Sequence, residues 1–193
     1  MMNTVRYAIA VMLIAAIPAA ILFWFLVHPF VRFWRRVGTG RSYVILCIIA
    51  FGAMTVMVIL RGRLLAADFG LNIPLALAGV VLLVAAGIML LTLRKRLPIK
   101  VLVGIPELSP EKPVSLITDG IYARIRHPRY VQMTLAILGY ALIANYPAVY
   151  AAFLLWVAGI YAVALLEERE LLARFGDEYR TYCRRVPRFI PKA

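Results

Sequence analysis

The chain has 193 residues, 64% of them hydrophobic, and a formal net charge of +13. A mean hydropathy of +0.87 excludes an ordinary soluble domain and points to an all-α integral membrane protein whose charge sits at the membrane edges. No nucleic-acid partner is expected for such a chain; membrane lipids are.

A membrane-crossing helix needs roughly 20 apolar residues. In chain order the candidates are Tyr7 to Val31, Tyr43 to Leu60, Ile73 to Leu93, and Pro128 to Leu166. Asn145, Tyr146 and Pro147 divide the last run into a helical hairpin, because Asn suits a helix end and Pro the first turn of the next helix. About five spans are therefore predicted, the one from Pro128 to Asn145 being short. His28, beside Pro29 and near Phe30, Phe33 and Trp34, reads as an interfacial residue of an aromatic belt. The run through "ILFWFLV" continues past any signal-peptide cleavage point after the alanines of the first span, so that span is expected to stay.

Lys and Arg collect on one side. Arg32, Arg35, Arg36 and Arg41 follow the first span, Arg94 to Arg129 hold eight more after the third, and seven lie between Arg169 and Lys192; only Arg6, Arg61 and Arg63 fall on the other side. The amino terminus is accordingly predicted outside and the carboxyl terminus in the cytosol, in the inner (cytoplasmic) membrane. Cys47 and Cys183 are expected as free thiols. No CxxC, no HExxH and no paired histidines occur, so no metal site is expected.

The chain divides near Leu93. Residues 1–93 read as a three-helix scaffold, and residues 94–193 as a catalytic half made of a cytosolic loop, a helical hairpin and a terminal cytosolic helix. The loop from Arg94 to Thr118 contains four prolines and apolar stretches, as expected of a segment folded back over the membrane face.

Two stretches carry the chemistry. In "GIYARIRHPRYVQ", Pro128 suits the first position of a helix and His127 its cap; the free N–H groups of that first turn, with Arg126 and Arg129, form a site for a carboxylate or phosphate. Bare arginines there would equally mark the cytosolic edge or hold anionic lipid. In "LLEERELLARFGDEYRTYCRRVPRFIP" the last span is predicted to run unbroken into a cytosolic helix. Glu167, Leu171, Phe175, Tyr179 and Tyr182 then share one stripe, while Glu170 and Arg174 pair in solvent. A carboxylate at the lipid boundary on an apolar face is costly unless a cation or hydrogen-bond donor meets it, from the protein or from a ligand. An anion site, a carboxylate facing aromatic rings and a histidine together suit a zwitterionic cofactor with a flat apolar base. Composition does not name it.

Together the two stretches resemble the isoprenylcysteine carboxyl methyltransferase and phospholipid methyltransferase group of membrane enzymes, in which G-x-Y…R-H-P-x-Y is followed by E-E…F-G-x-E-Y…Y…V-P. The resemblance covers roughly the last 75 residues. It implies S-adenosyl-L-methionine as cofactor, contacts from Val114, Ser115, Leu116, Ile117, Tyr122, His127, Pro128, Arg129, Tyr130 and Glu167, and catalytic roles for His127 and Glu167. Val163 stands where the isoprenylcysteine enzymes carry an arginine for the substrate carboxylate, Gln132 where they tend to have Gly, and "VSLI" where they have a His-x-Leu-Val stretch; these departures give weight to a different lipid-like or other hydrophobic methyl acceptor. The competing expectations are an NADPH-dependent membrane reductase related to sterol reductases, and a non-enzymatic lipid-binding protein.

Overall fold

The computed structural model describes residues 2–94 and 115–191. Among these the regular structure is helical: α1 (Met2–Val27), α2 (Val31–Val37), α3 (Thr39–Leu64), α4 (Ile73–Arg94), a 3-10 turn (Gly120–Ala123), α5 (Pro128–Ala144), α6 (Pro147–Phe175) and α7 (Asp177–Arg185). The loop expected to fold back over the membrane face lies largely outside the described residues.

Four of these helices, α1, α3, α4 and α6, are long and apolar enough to cross a membrane. The fifth expected span, α5, has 17 residues, about 25 Å of helix against a hydrocarbon core of about 30 Å. Two boundaries also differ from the sequence-based ones. The first apolar run ends at Val27, and Val31–Val37 forms a separate short helix. The second span begins at Thr39 because Gly38, at φ +96°, turns the chain between α2 and α3.

The core lies where α1, α5 and α6 meet. Leu13, Ile14 and Ile17 of α1 pack with Ala141 and Ala144 of α5 and with Val149, Trp156, Ile160 and Val163 of α6. Outside this core α4 lies along α5 and α3 along α1. Phe51 and Ile59 on α3, Val81 and Ile88 on α4, and Leu154 on α6 are left exposed, as suits helices whose outer faces meet lipid. The α4–α5 contact is backbone to backbone: a Cβ on Gly79 would stand 2.5 Å from the Gly139 carbonyl oxygen.

The hairpin tip turns on Asn145, which takes the left-handed conformation (φ +57°), while Pro147 opens α6 without losing a hydrogen bond. Here a fully buried Arg6 is tied to Asp68, to the Ala144 carbonyl oxygen at 3.1 Å and to the Tyr146 ring. Asn145 donates to the Gly70 carbonyl oxygen at 2.9 Å and accepts from the Tyr150 hydroxyl at 2.8 Å. A buried cation is tolerable only when paired in this way. This clamp holds one end of α5, and the basic and aromatic stretch around His127 lies at the other.

Candidate active site

The site is built at the start of α5 from three pieces of chain. Gly120 adopts φ +59°, which a side chain disfavours, and so allows the tight turn Gly120–Ala123 that leads into the RHP segment. Pro128 begins α5 and leaves His127 just outside it, with no side-chain cap bond. From α6 come Glu167 and Glu168. The third piece is the segment after α7. The Pro187 carbonyl oxygen accepts from the Arg126 N–H at 2.9 Å and the Arg188 carbonyl oxygen from the His127 N–H at 3.1 Å, so the tail runs as a strap beside the RHP segment.

His127 is buried at 5% exposure and is held on both ring nitrogens. Nε2 lies 3.0 Å from Glu168 Oε1, and Nδ1 lies 3.5 Å from Glu167 Oε2. The ring is stacked on Tyr130, with planes 8° apart and centroids 5.3 Å apart, and Phe189 of the strap lies at 5.7 Å. Burial alone would depress the imidazolium, yet the hydrogen bonds and charges of Glu167 and Glu168 outweigh it and hold the His127 pKa above its ordinary 6.5. The two carboxylates thus favour the charged form of the ring.

Glu167 is half-buried and accepts from the Tyr130 hydroxyl at 2.7 Å. Its neighbour Glu168 is engaged elsewhere. Arg188 grips both its oxygens, at 2.9 and 2.7 Å, and Arg126 approaches to 3.4 Å. Burial of Tyr122, first, and then the charge of Glu167 push that phenol well above its ordinary value. The Tyr122 carbonyl oxygen accepts from the Tyr182 hydroxyl at 2.7 Å, which ties α7 to the turn.

The structure thus brings Tyr122, His127, Pro128, Tyr130 and Glu167 together. Arg129 is turned to Gln132, whose Oε1 accepts from it at 2.8 Å, and Gln132 is itself buried. Leu116 packs on the Tyr179, Tyr182 and Val186 cluster, whereas Ser115 and Ile117 are exposed. Val114 lies outside the described residues.

Several sequence-based expectations need correction. The terminal helix is not continuous: Gly176 at φ +55° breaks it, and α7 turns to pack Tyr179 and Tyr182 against Leu171 and Phe175 by tertiary contact rather than as one stripe. Glu170 does not leave Arg174 as its partner in solvent; it meets His28 Nδ1 at 2.9 Å. His28 is therefore more than a belt residue, being buried, stacked on Trp24 and linking α1 to α6. The helix-start anion site is partly occupied, since the strap takes the His127 N–H. Glu168 and Arg188 are not among the residues the sequence reading singles out; the adjacent acidic pair and the arginine directly after Val186-Pro187 are the available signals.

Beside this polar site runs an apolar groove of about 270 Å³ between α5 and α6. Val131, Leu135, Val157, Ile160 and Phe189 line it, and so does the ring of Tyr130.

The family model for phospholipid methyltransferase matches residues 75–178, which include α5 and the acidic pair. The cobalt-zinc-cadmium resistance protein CzcN of Cupriavidus metallidurans is 36% identical over 85 residues, 44% of this chain and 39% of that protein. The nickel-cobalt-cadmium resistance protein NccN of Alcaligenes xylosoxydans xylosoxydans is 33% identical over 85 residues, 44% of this chain and 40% of its own length. The protein-S-isoprenylcysteine O-methyltransferase of Schizosaccharomyces pombe is 38% identical over 78 residues, 39% of this chain and 33% of that enzyme. The matched segments thus span two-fifths or less of these relatives. No solved structure matches.

Proposed function

The chain belongs to the phospholipid methyltransferase family, and from the geometry of its site we propose that it is an S-adenosylmethionine-dependent methyltransferase acting on a lipid-like or other hydrophobic acceptor at the cytosolic membrane face. The observation that carries this reading is the double role of Tyr130. Its hydroxyl is bonded to Glu167 in the polar site while its ring lines the apolar groove. A single side chain therefore separates a place for a polar donor from a place for an apolar acceptor.

The residues present suit the donor. S-Adenosylmethionine supplies a methyl group on a sulfonium, together with a zwitterionic amino-acid end and a flat base. Glu167 offers a carboxylate to its cationic or hydroxyl groups. The Arg126 Nε is buried with no partner among the described residues, leaving a donor for a carboxylate. Tyr122, Tyr130 and His127 provide rings for the base.

Methyl transfer by in-line displacement asks the protein chiefly to hold two reactants in register. An acceptor that is already a carboxylate or thiolate needs no base. An amine must lose a proton, and because both carboxylates favour the charged form of His127, Glu167 is the better placed group to take it. The apolar lining of the groove between α5 and α6 suits a lipid-like molecule. The basic segments after α1 and α4 and in the tail support a cytosolic position for this end of the bundle.

The test is incubation of the purified protein with methyl-labelled S-adenosylmethionine and a total lipid extract. Label should appear in an organic-soluble species and disappear when Glu167→Ala replaces the wild type. Wild-type protein that binds no S-adenosylmethionine, and is instead stabilised by NADPH, would overturn the reading.

A further inference from the structure

The acidic pair presents two adjacent carboxylates of different surroundings. Glu168 is the more enclosed, with a side chain 12% exposed against 31% for Glu167. It faces three basic side chains: Arg126 at 3.4 Å, His127 at 3.0 Å and Arg188 with its two-point grip. Among the described residues, Glu167 meets Tyr130 and the more distant side of His127 within hydrogen-bonding or ion-pair range. Arg188 is fixed in turn. Its own carbonyl oxygen is bonded to the His127 N–H, its guanidinium lies 5.5 Å over the Tyr161 ring, and the hydrogen bonds of Glu168 hold its charge more firmly than usual.

We propose that Arg188 is a positioning residue that divides the labour of the acidic pair: by gripping Glu168 it makes that carboxylate an internal brace for His127 and leaves Glu167 to meet the ligand. This assignment rests on the proposed methyl-donor site, but its physical core does not need a ligand. A planar guanidinium can satisfy both carboxylate oxygens at once, which fixes the carboxylate plane and so the side of it that His127 sees. Among the described residues, the charged or titratable groups around His127 are Glu167 and Glu168 of α6, Tyr130 of α5, Arg126 of the RHP segment and Arg188 of the strap, with His28 beyond Glu167. Removing Arg188 deletes the strongest competitor for Glu168. Arg126 and helix α6 still keep that carboxylate in place, so its charge falls more fully on His127.

The chain has two histidines, so the titration of His127 can be followed by NMR in detergent, its signals assigned with a His28→Gln variant. In the absence of any ligand, Arg188→Ala should move the His127 midpoint to higher pH by about half a unit or more, and Glu168→Gln should move it lower. The double variant should match Glu168→Gln alone, because Arg188 acts through Glu168. Arg188→Lys, which keeps the charge but not the two-point grip, should lie between wild type and Arg188→Ala and serves if the alanine variant does not fold. In donor titrations Arg188→Ala should bind S-adenosylmethionine about tenfold more weakly. An unmoved His127 midpoint in Arg188→Ala and Arg188→Lys, or a double variant that differs from Glu168→Gln, would overturn the assignment. A moved midpoint without any donor binding in the wild type would leave the brace standing and remove only the methyltransferase reading.

Discussion

Tyr130 and His127 are the side chains through which the polar site can be examined most sharply. Replacing Tyr130 by Phe removes one hydrogen bond to a carboxylate while keeping the ring that lines the groove. The loss of about 1.5–3 kcal/mol expected for a hydrogen bond to a charged group predicts a ten- to hundredfold weaker donor affinity with little change in acceptor KM. His127 predicts a pH dependence. Its pKa is raised on folding, so the stability from its contacts with the two carboxylates is complete below about 6.5 and is lost as pH climbs through the higher folded value. Thermal unfolding should therefore show Tm falling as pH rises from 6.5 into the alkaline range, and His127→Gln should flatten that slope. Glu167 was legible in the sequence because a carboxylate on an apolar helical face needs a reason to be there. Glu168 and Arg188 were not, because their pairing joins α6 to a strap twenty residues later, a contact no helical periodicity can display.

At the scale of elements, the position of α5 depends on its backbone contact with α4. Gly139 has the Gly79 carbonyl oxygen and the Leu83 side chain where a Cβ would stand, whereas Gly87 on α4 has nothing within 4 Å. Gly139→Leu should destabilise the protein by about 1–3 kcal/mol or more through overpacking, and Gly87→Leu should leave the melting temperature nearly unchanged. Measured in one detergent, equal effects at the two positions would contradict this account of α5. The hairpin was readable because Asn145 and Pro147 each carry a local backbone preference. The break at Gly176 was not, since a residue pattern that continues in register across a glycine looks the same whether the helix runs on or folds back. Tyr179 and Tyr182 reach the predicted neighbours Leu171 and Phe175, but by a turn between two helices.

For the whole molecule, apolar composition was enough for the helical membrane class, while the number of spans depended on length, and α5 falls short of the others. Orientation is open to direct measurement. Cys183, half-buried on α7, should react with a membrane-impermeant thiol reagent in inside-out vesicles of a Cys47→Ser variant and stay unlabelled in right-side-out ones. Labelling only from the opposite side would invert the proposed topology. The division of the chain into two ends, a clamp at Arg6 and a site at His127, explains why a single short helix can join both: α5 runs from one to the other. The most direct measurement is S-adenosylmethionine binding by calorimetry to the purified wild type, Glu167→Gln and His127→Ala. The account predicts saturable binding to the wild type that weakens at least tenfold in each variant. Undiminished affinity in both would contradict the claim that the RHP segment and the acidic pair of α6 form one donor site.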